Sequence, residues 1–327
     1  MREEHGTDER LREEHGTDER LREEHGTDER LREEHGTDER LREEGPAMSY
    51  DATLRFRRLF RGVPKAVDNI GEQALFYGET IRYLPNALNR YRKETIRLVA
   101  EMTMGAGALV MIGGTVGVAA FLTLASGGVI AVQGYSSLGN IGIEALTGFL
   151  SAFLNVRIVA PVIAGIALAA TIGAGATAQL GAMRVAEEVD AVEAMAVHAV
   201  SYLVSTRLLA GLIAIVPLYS LSVLAAFFAA RFTTVFINGQ SAGLYDHYFN
   251  TFLIPSDLLW SFLQAIVMAV AVMLVHTYYG YNASGGPVGV GIAVGQAVRT
   301  SLIVVVTITL FISLAVYGAS GNFNLSG

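Results

Sequence analysis

Four carboxylates within seven residues, Glu187, Glu188, Asp190 and Glu193, follow an arginine, Arg184, in a stretch whose surroundings carry almost no charge. From Arg157 to Arg231 the only other Lys, Arg, Asp or Glu is Arg207. The residues of the island are good helix formers, and Leu180, Met183, Val189, Val192 and Met195 recur at spacings of three and six beside the carboxylates. The spacing predicts one amphipathic helix over about residues 179–196. In it Arg184 pairs with Glu187 or Glu188, and such pairs add only about 0.3–0.5 kcal/mol. Self-pairing therefore does not account for four carboxylates. Two alternatives do: a helix lying on a bilayer surface, or a helix that docks on a soluble partner.

Other chemistries find little support. A nucleotide-driven pump needs a phosphate cradle, yet Lys65 and Lys93 are the only lysines, and neither follows a Gly-rich loop. The run Gly289, Gly291, Gly295 has the wrong spacing for a dinucleotide fingerprint. There is no nucleophile elbow or HExxH motif, and without cysteine there are no thiolate metal sites or cysteine nucleophiles. No catalytic residues, metal or directly bound cofactor are expected, and nothing supports nucleic-acid binding.

The positioning elements read as an all-α polytopic membrane protein, with 52% hydrophobic residues. Five apolar spans are expected at about residues 102–132, 158–178, 208–230, 257–277 and 301–317. They are nearly bare of ionisable groups. Glu101, Glu144 and Arg157 fall at edges, and His276 fits a packed or interfacial histidine better than a proton relay. Bare spans suit an apolar cargo. Gln133, Tyr135 and Asn140 would line its outer mouth, or serve only loop hydrogen bonding and an aromatic belt. The segments 133–156 and 232–255, the first with a short helix over 141–155, are expected as external loops, and a Gly-rich loop is expected at 285–295.

Two further regions precede the spans. Residues 1–47 hold four copies of a ten-residue unit and part of a fifth, a solvated acidic tail, disordered or partly helical. One apolar residue per unit cannot bury a core. Its His5, His15, His25 and His35 read as solvated histidines rather than metal ligands. Up to residue 45 there are nine Arg and eighteen Asp or Glu, so the chain's net charge of −7 belongs to the tail. Residues 48–98 are basic and amphipathic, as in a segment lying in the membrane interface. The bias of Lys and Arg puts this segment and the N-terminus in the cytoplasm, the charged helix on the same side and the C-terminus outside.

The run from Gly175 to Met195, the segments Val132–Tyr135 and Leu138–Gly142, and the late run from Tyr279 to Gly291 resemble, in this order, the motifs of the MlaE/YrbE permeases over about residues 97–318. These are the membrane subunits of ABC-type lipid transporters that work with Mce proteins. The resemblance implies a permease domain over 99–327 and a start near Met48. It makes the charged helix the coupling helix that seats in a cytoplasmic ABC ATPase dimer. There Glu187, Glu188, Asp190 and Glu193 make the contact, Arg184 orients them, and ATP is hydrolysed by the partner. Gln179 stands where the family usually has Glu, Ala196–Ala199 where it has Gly-x-Asp/Asn-Pro, and Thr206 where it has Pro. These departures resemble the B-type YrbE subunit of actinobacterial (mycobacterial) Mce systems, which pairs with an A-type permease as a heterodimer. The resemblance then implies Mce proteins forming an extracytoplasmic tunnel and a hydrophobic cargo, fatty or mycolic acid before sterol. A membrane scaffold, or a facilitator that needs no ATPase, is the alternative function.

Overall fold

A computed structural model describes residues 62–104 and 114–318, and side chains within 71–101 and 114–316. The acidic repeats with their histidines, the basic segment before residue 62 and residues 105–113 of the first expected span lie outside the described residues. The account below concerns the compact unit from Glu72 onward.

That unit is helical, with no strand among the described residues. Three helices lead in: α1 (Gly62–Arg82), α2 (Leu84–Asn89) and α3 (Arg92–Met104). Five segments long and apolar enough to cross a membrane follow: Thr115–Gly139, Glu144–Val185, Val200–Ile237, Pro255–Tyr281 and Gly286–Val316. Backbone polar groups in lipid must be satisfied within the segment, and helices achieve this. The chain is therefore a multi-pass membrane protein.

The first span is α4 (Thr115–Gly139). The second contains α5 (Thr147–Leu154), α6 (Ala160–Ala167) and α7 (Ala174–Val185), joined without interruption by two π-helical turns, Asn155–Val159 and Leu168–Gly173. After a short α8 (Glu188–Ala194), the third span is built on α9 (Ser205–Phe232). Then come α10 (Ala242–Phe252), the fourth span α11 (Pro255–Tyr281) and the fifth, α12 (Gly286–Ser313).

Helix α9 sits at the centre, packed against α3, α4, α6 and α11, while α11 also packs on α7 and α12. Much of the shared core is alanine: Ala119, Ala160, Ala164, Ala167, Ala214 and Ala269 are fully buried. Small side chains let helix backbones approach where apolar lipid gives no hydrophobic drive for association.

Several expected boundaries move. The first span's helix continues to Gly139, so Gln133 and Tyr135 are helical rather than in a loop. The short helix expected over 141–155 is present as α5 but is fused to the second span. The expected loop 232–255 contains α10, whose Tyr245 is buried. The Gly-rich loop is mostly absent. A turn at Gly285 and Gly286, both with positive φ (87° and 71°), starts α12 at once, and Gly289, Gly291 and Gly295 are helical. Inside a membrane, backbone satisfaction overrides glycine's poor helix propensity.

Candidate functional site

The charged island is two helices and a bend, not the single helix expected over 179–196. Helix α7 ends at Val185, Glu187 takes a left-handed conformation (φ 59°), and α8 begins at Glu188. The reason lies in burial. Leu180 and Val189 are nine residues apart, which on one continuous helix puts them on opposite faces. With the bend, both are fully buried in one small cluster with Ala199 and Leu203, flanked by Met183, Val192, Tyr202 and Tyr281. Helix α8 closes with paired turns, Ala196 N–H to the Glu193 carbonyl at 2.9 Å and Val197 N–H to the Val192 carbonyl at 3.3 Å. Ala196 (φ 58°) occupies the left-handed position that glycine usually fills in such a cap.

The bend also redirects Arg184. Its expected partners were Glu187 and Glu188; instead its Nη1 lies 2.7 Å from Asp190 Oδ1, across the bend. The same guanidinium sits 5.7 Å from the Tyr281 ring centre, and Tyr281 Oη donates to Glu193 Oε1 at 3.3 Å. Arg184, Asp190, Glu193 and Tyr281 therefore form one network that holds the elbow against the end of α11. Glu187 and Glu188 are exposed and have no cationic partner among the described residues. At the far end of α8, Met195 is 68% exposed. The elbow thus presents two free carboxylates and an apolar side chain on a braced frame, a surface suited to a basic, partly apolar socket.

At the opposite end of the bundle, the expected cargo residues do not converge. Gln133 and Tyr135 are two positions apart on α4 and point to different faces. Asn140 lies just past the helix end, exposed like Gln133, while Tyr135 is half-buried. Gly134 between them packs on α5, where an added Cβ would lie 2.5 Å from Leu150 Cδ2.

Comparisons with known proteins agree on a family. The family model described as "Permease MlaE" matches residues 104–315, well over half of the chain. This chain belongs to the MlaE permease family. A probable ABC transporter permease protein of Rickettsia prowazekii is 28% identical over 158 residues, 46% of this chain and 58% of that protein. The intermembrane phospholipid transport system permease protein MlaE of Haemophilus influenzae is 26% identical over 173 residues, 53% of this chain and 66% of that protein. A chloroplastic protein of Arabidopsis thaliana, TRIGALACTOSYLDIACYLGLYCEROL 1, is 24% identical over 147 residues, 45% of this chain and 42% of that protein. The match to the Rickettsia protein thus spans under two thirds of that relative's length.

The chain also contains polar ties that the spacing of residues did not announce. Arg157 donates to Asp257 Oδ2 through Nε (3.0 Å) and Nη2 (2.7 Å), a largely buried pair one hundred residues apart in sequence. Gln179 Nε2 donates to Glu101 Oε1 at 3.1 Å. Arg231 makes a two-pronged contact with Asp246, both bonds 2.9 Å, which holds α10 to the end of the third span and keeps that carboxyl below its ordinary range. Burial pushes the Tyr245 hydroxyl up to about 12. The first two ties join residues 100 and 78 apart in sequence and the third residues 15 apart, so only charges at span edges hinted at them.

Proposed function

We propose that this permease is the membrane subunit of an ATP-driven transporter of hydrophobic lipids, energised by a separate cytoplasmic ABC ATPase that seats on the elbow. The observation that carries this reading is the elbow itself: Glu187 and Glu188 have no cationic partner among the described residues and share the elbow with exposed Met195, on a frame fixed by Arg184, Asp190, Glu193 and Tyr281. ATP binding closes the ATPase dimer and moves the elbow, and α7 and α11, which it braces, carry that motion into the spans; a two-state change of this kind is driven by differential binding. The name of the Haemophilus relative, an intermembrane phospholipid transport system permease, supports a lipid as cargo.

In the finer reading the subunit is a B-type YrbE permease that pairs with an A-type permease beneath a tunnel of Mce proteins, in the plasma membrane, with its N-terminus cytoplasmic and its C-terminus extracytoplasmic. Fatty or mycolic acid is the cargo, and Gln133, Tyr135 and Asn140 lie along its path. Gln179, Ala196–Ala199 and Thr206 support a non-identical partner, because they depart from the family pattern at the elbow and its flanks.

The test is gentle detergent purification of the tagged protein from its native membrane, with mass identification of what accompanies it. Recovery of an ATPase, a second permease and Mce proteins is the expected result. Recovery of this chain alone, under conditions that keep such complexes intact, overturns the reading and leaves a facilitator or a scaffold.

A further inference from the structure

Between α1 and α3 the chain turns a corner in which every charge is positive: Arg82, Arg90, Arg92 and Lys93. All four are exposed, and none has a carboxylate partner among the described residues. Arg92 donates only to the Leu88 carbonyl (2.9 Å) and to Asn89 Oδ1 (3.5 Å). The neighbouring carboxylate, Glu94, is held by Arg97 at 2.6 Å. Helix ends account for part of the placement, since Arg82 lies in the last turn of α1, Arg90 caps α2 and Arg92 bonds the Leu88 carbonyl of α2, whereas Lys93 falls in the first turn of α3, where the helix dipole disfavours cations. Among these cations two apolar side chains stand open, Leu88 at 53% and Ile96 at 68% exposed.

The opposite side of the corner is fixed to the bundle. Ala87, Thr95 and Leu98 are buried, the Tyr91 and Tyr202 rings lie 5.1 Å apart, and Ser205 Oγ donates to the Thr80 carbonyl at 3.0 Å. These contacts place the corner beside the first turns of the third span, at the end of the bundle that carries the elbow. The Tyr83 ring lies 4.5 Å from the ring of His198, the residue that follows the elbow, and His198 Nε2 is 3.4 Å from Glu79 Oε1.

Unpaired cations interleaved with open apolar side chains, at the level where spans leave the bundle, complement a layer of phosphates over acyl chains. We propose that the Arg82–Lys93 corner binds anionic lipid headgroups of the leaflet on the elbow side, and that bound lipid steadies the elbow through Tyr83 and His198. The proposal rests on the membrane reading of the chain and needs no ATPase, so it stands or fails separately from the transport function.

The test uses the full-length protein in nanodiscs of phosphatidylcholine alone or mixed with phosphatidylglycerol, with retained lipid read by native mass spectrometry. Preferential retention of phosphatidylglycerol is expected, reduced roughly fivefold for each cation removed in Arg90→Gln/Arg92→Gln/Lys93→Gln. Because these residues are exposed, the variant should melt like the wild type; an Arg90→Lys/Arg92→Lys variant keeps the charge and should keep the preference. Hydrogen exchange at residues 186–199 should slow when phosphatidylglycerol is present. Equal retention of the two lipids, an unchanged preference in the neutralised variant, or displacement of the lipid by inorganic phosphate would overturn the lipid site. Exchange at the elbow that ignores lipid charge would overturn the brace.

Discussion

Thr177 Oγ1 lies 2.8 Å from His276 Nδ1, and His276 Nε2 lies 3.2 Å from Ser301 Oγ, so one fully buried imidazole ties the second, fourth and fifth spans together. Thr177 stands on α7, eight residues before that helix ends at the elbow. The tie needs a bare backbone opposite the ring: a Cβ added at Gly173 would lie 2.5 Å from His276 Cδ2. Gly173→Ala should therefore destabilise the protein by about 1–3 kcal/mol. Gly175→Ala, two residues on with nothing within 4 Å, should be neutral or stabilising by about 0.5–1 kcal/mol. Thermal melting of both variants in nanodiscs checks the contrast.

Ala196 caps α8 with a positive φ of 58°. A residue with a Cβ is disfavoured there by roughly 1–2 kcal/mol, and glycine is not. Ala196→Gly should raise stability by about 1 kcal/mol with the elbow network intact. A lower melting temperature would contradict the cap as described.

The Arg157–Asp257 pair joins the second and fourth spans where both side chains are mostly out of solvent. Asp257→Asn keeps the shape and removes the charge, and should lower stability by about 1.5–3 kcal/mol. Exchanging the two residues, Arg157→Asp with Asp257→Arg, should recover part of that loss. A double-mutant cycle on melting temperatures measures the coupling.

The Arg231–Asp246 contact gives a pH signature. The arginine's hydrogen bonds hold the Asp246 carboxyl below its ordinary value. A depressed carboxyl contributes stability above its unfolded pKa, about 3.9, and that contribution is lost as pH falls through the folded value. The stability gap between wild type and Asp246→Asn should thus be steady at neutral pH and close below about pH 4. The effect will be small, because both side chains are substantially exposed.

The spans were legible because apolar length is a local property. So was the existence of a charged surface element between the second and third spans, since a run of carboxylates between apolar runs is visible without any tertiary contact. Its bend was not legible. Helix-forming residues run unbroken through the stretch, and the nine-residue spacing that sets Leu180 and Val189 on opposite faces of one helix tells against it only once both are known to enter the same cluster. The true partner of Arg184, six residues on, follows from that bend. The helical Gly-rich run was misread because glycine's propensity in water is a poor guide inside a membrane. Arg157 and Asp257, separated by one hundred residues, leave no local signal of their contact.

The coupling role of the elbow is tested most directly by Glu187→Lys/Glu188→Lys, two exposed side-chain reversals outside the Arg184–Asp190 and Tyr281–Glu193 contacts. The measurement is ATPase recovered with the tagged permease from native membranes, alongside lipid uptake by the same cells. The account predicts a protein that inserts and melts normally, yet loses the ATPase and with it uptake. Full ATPase recovery and normal uptake would contradict it, and the elbow would then be a surface helix of the membrane rather than a docking element.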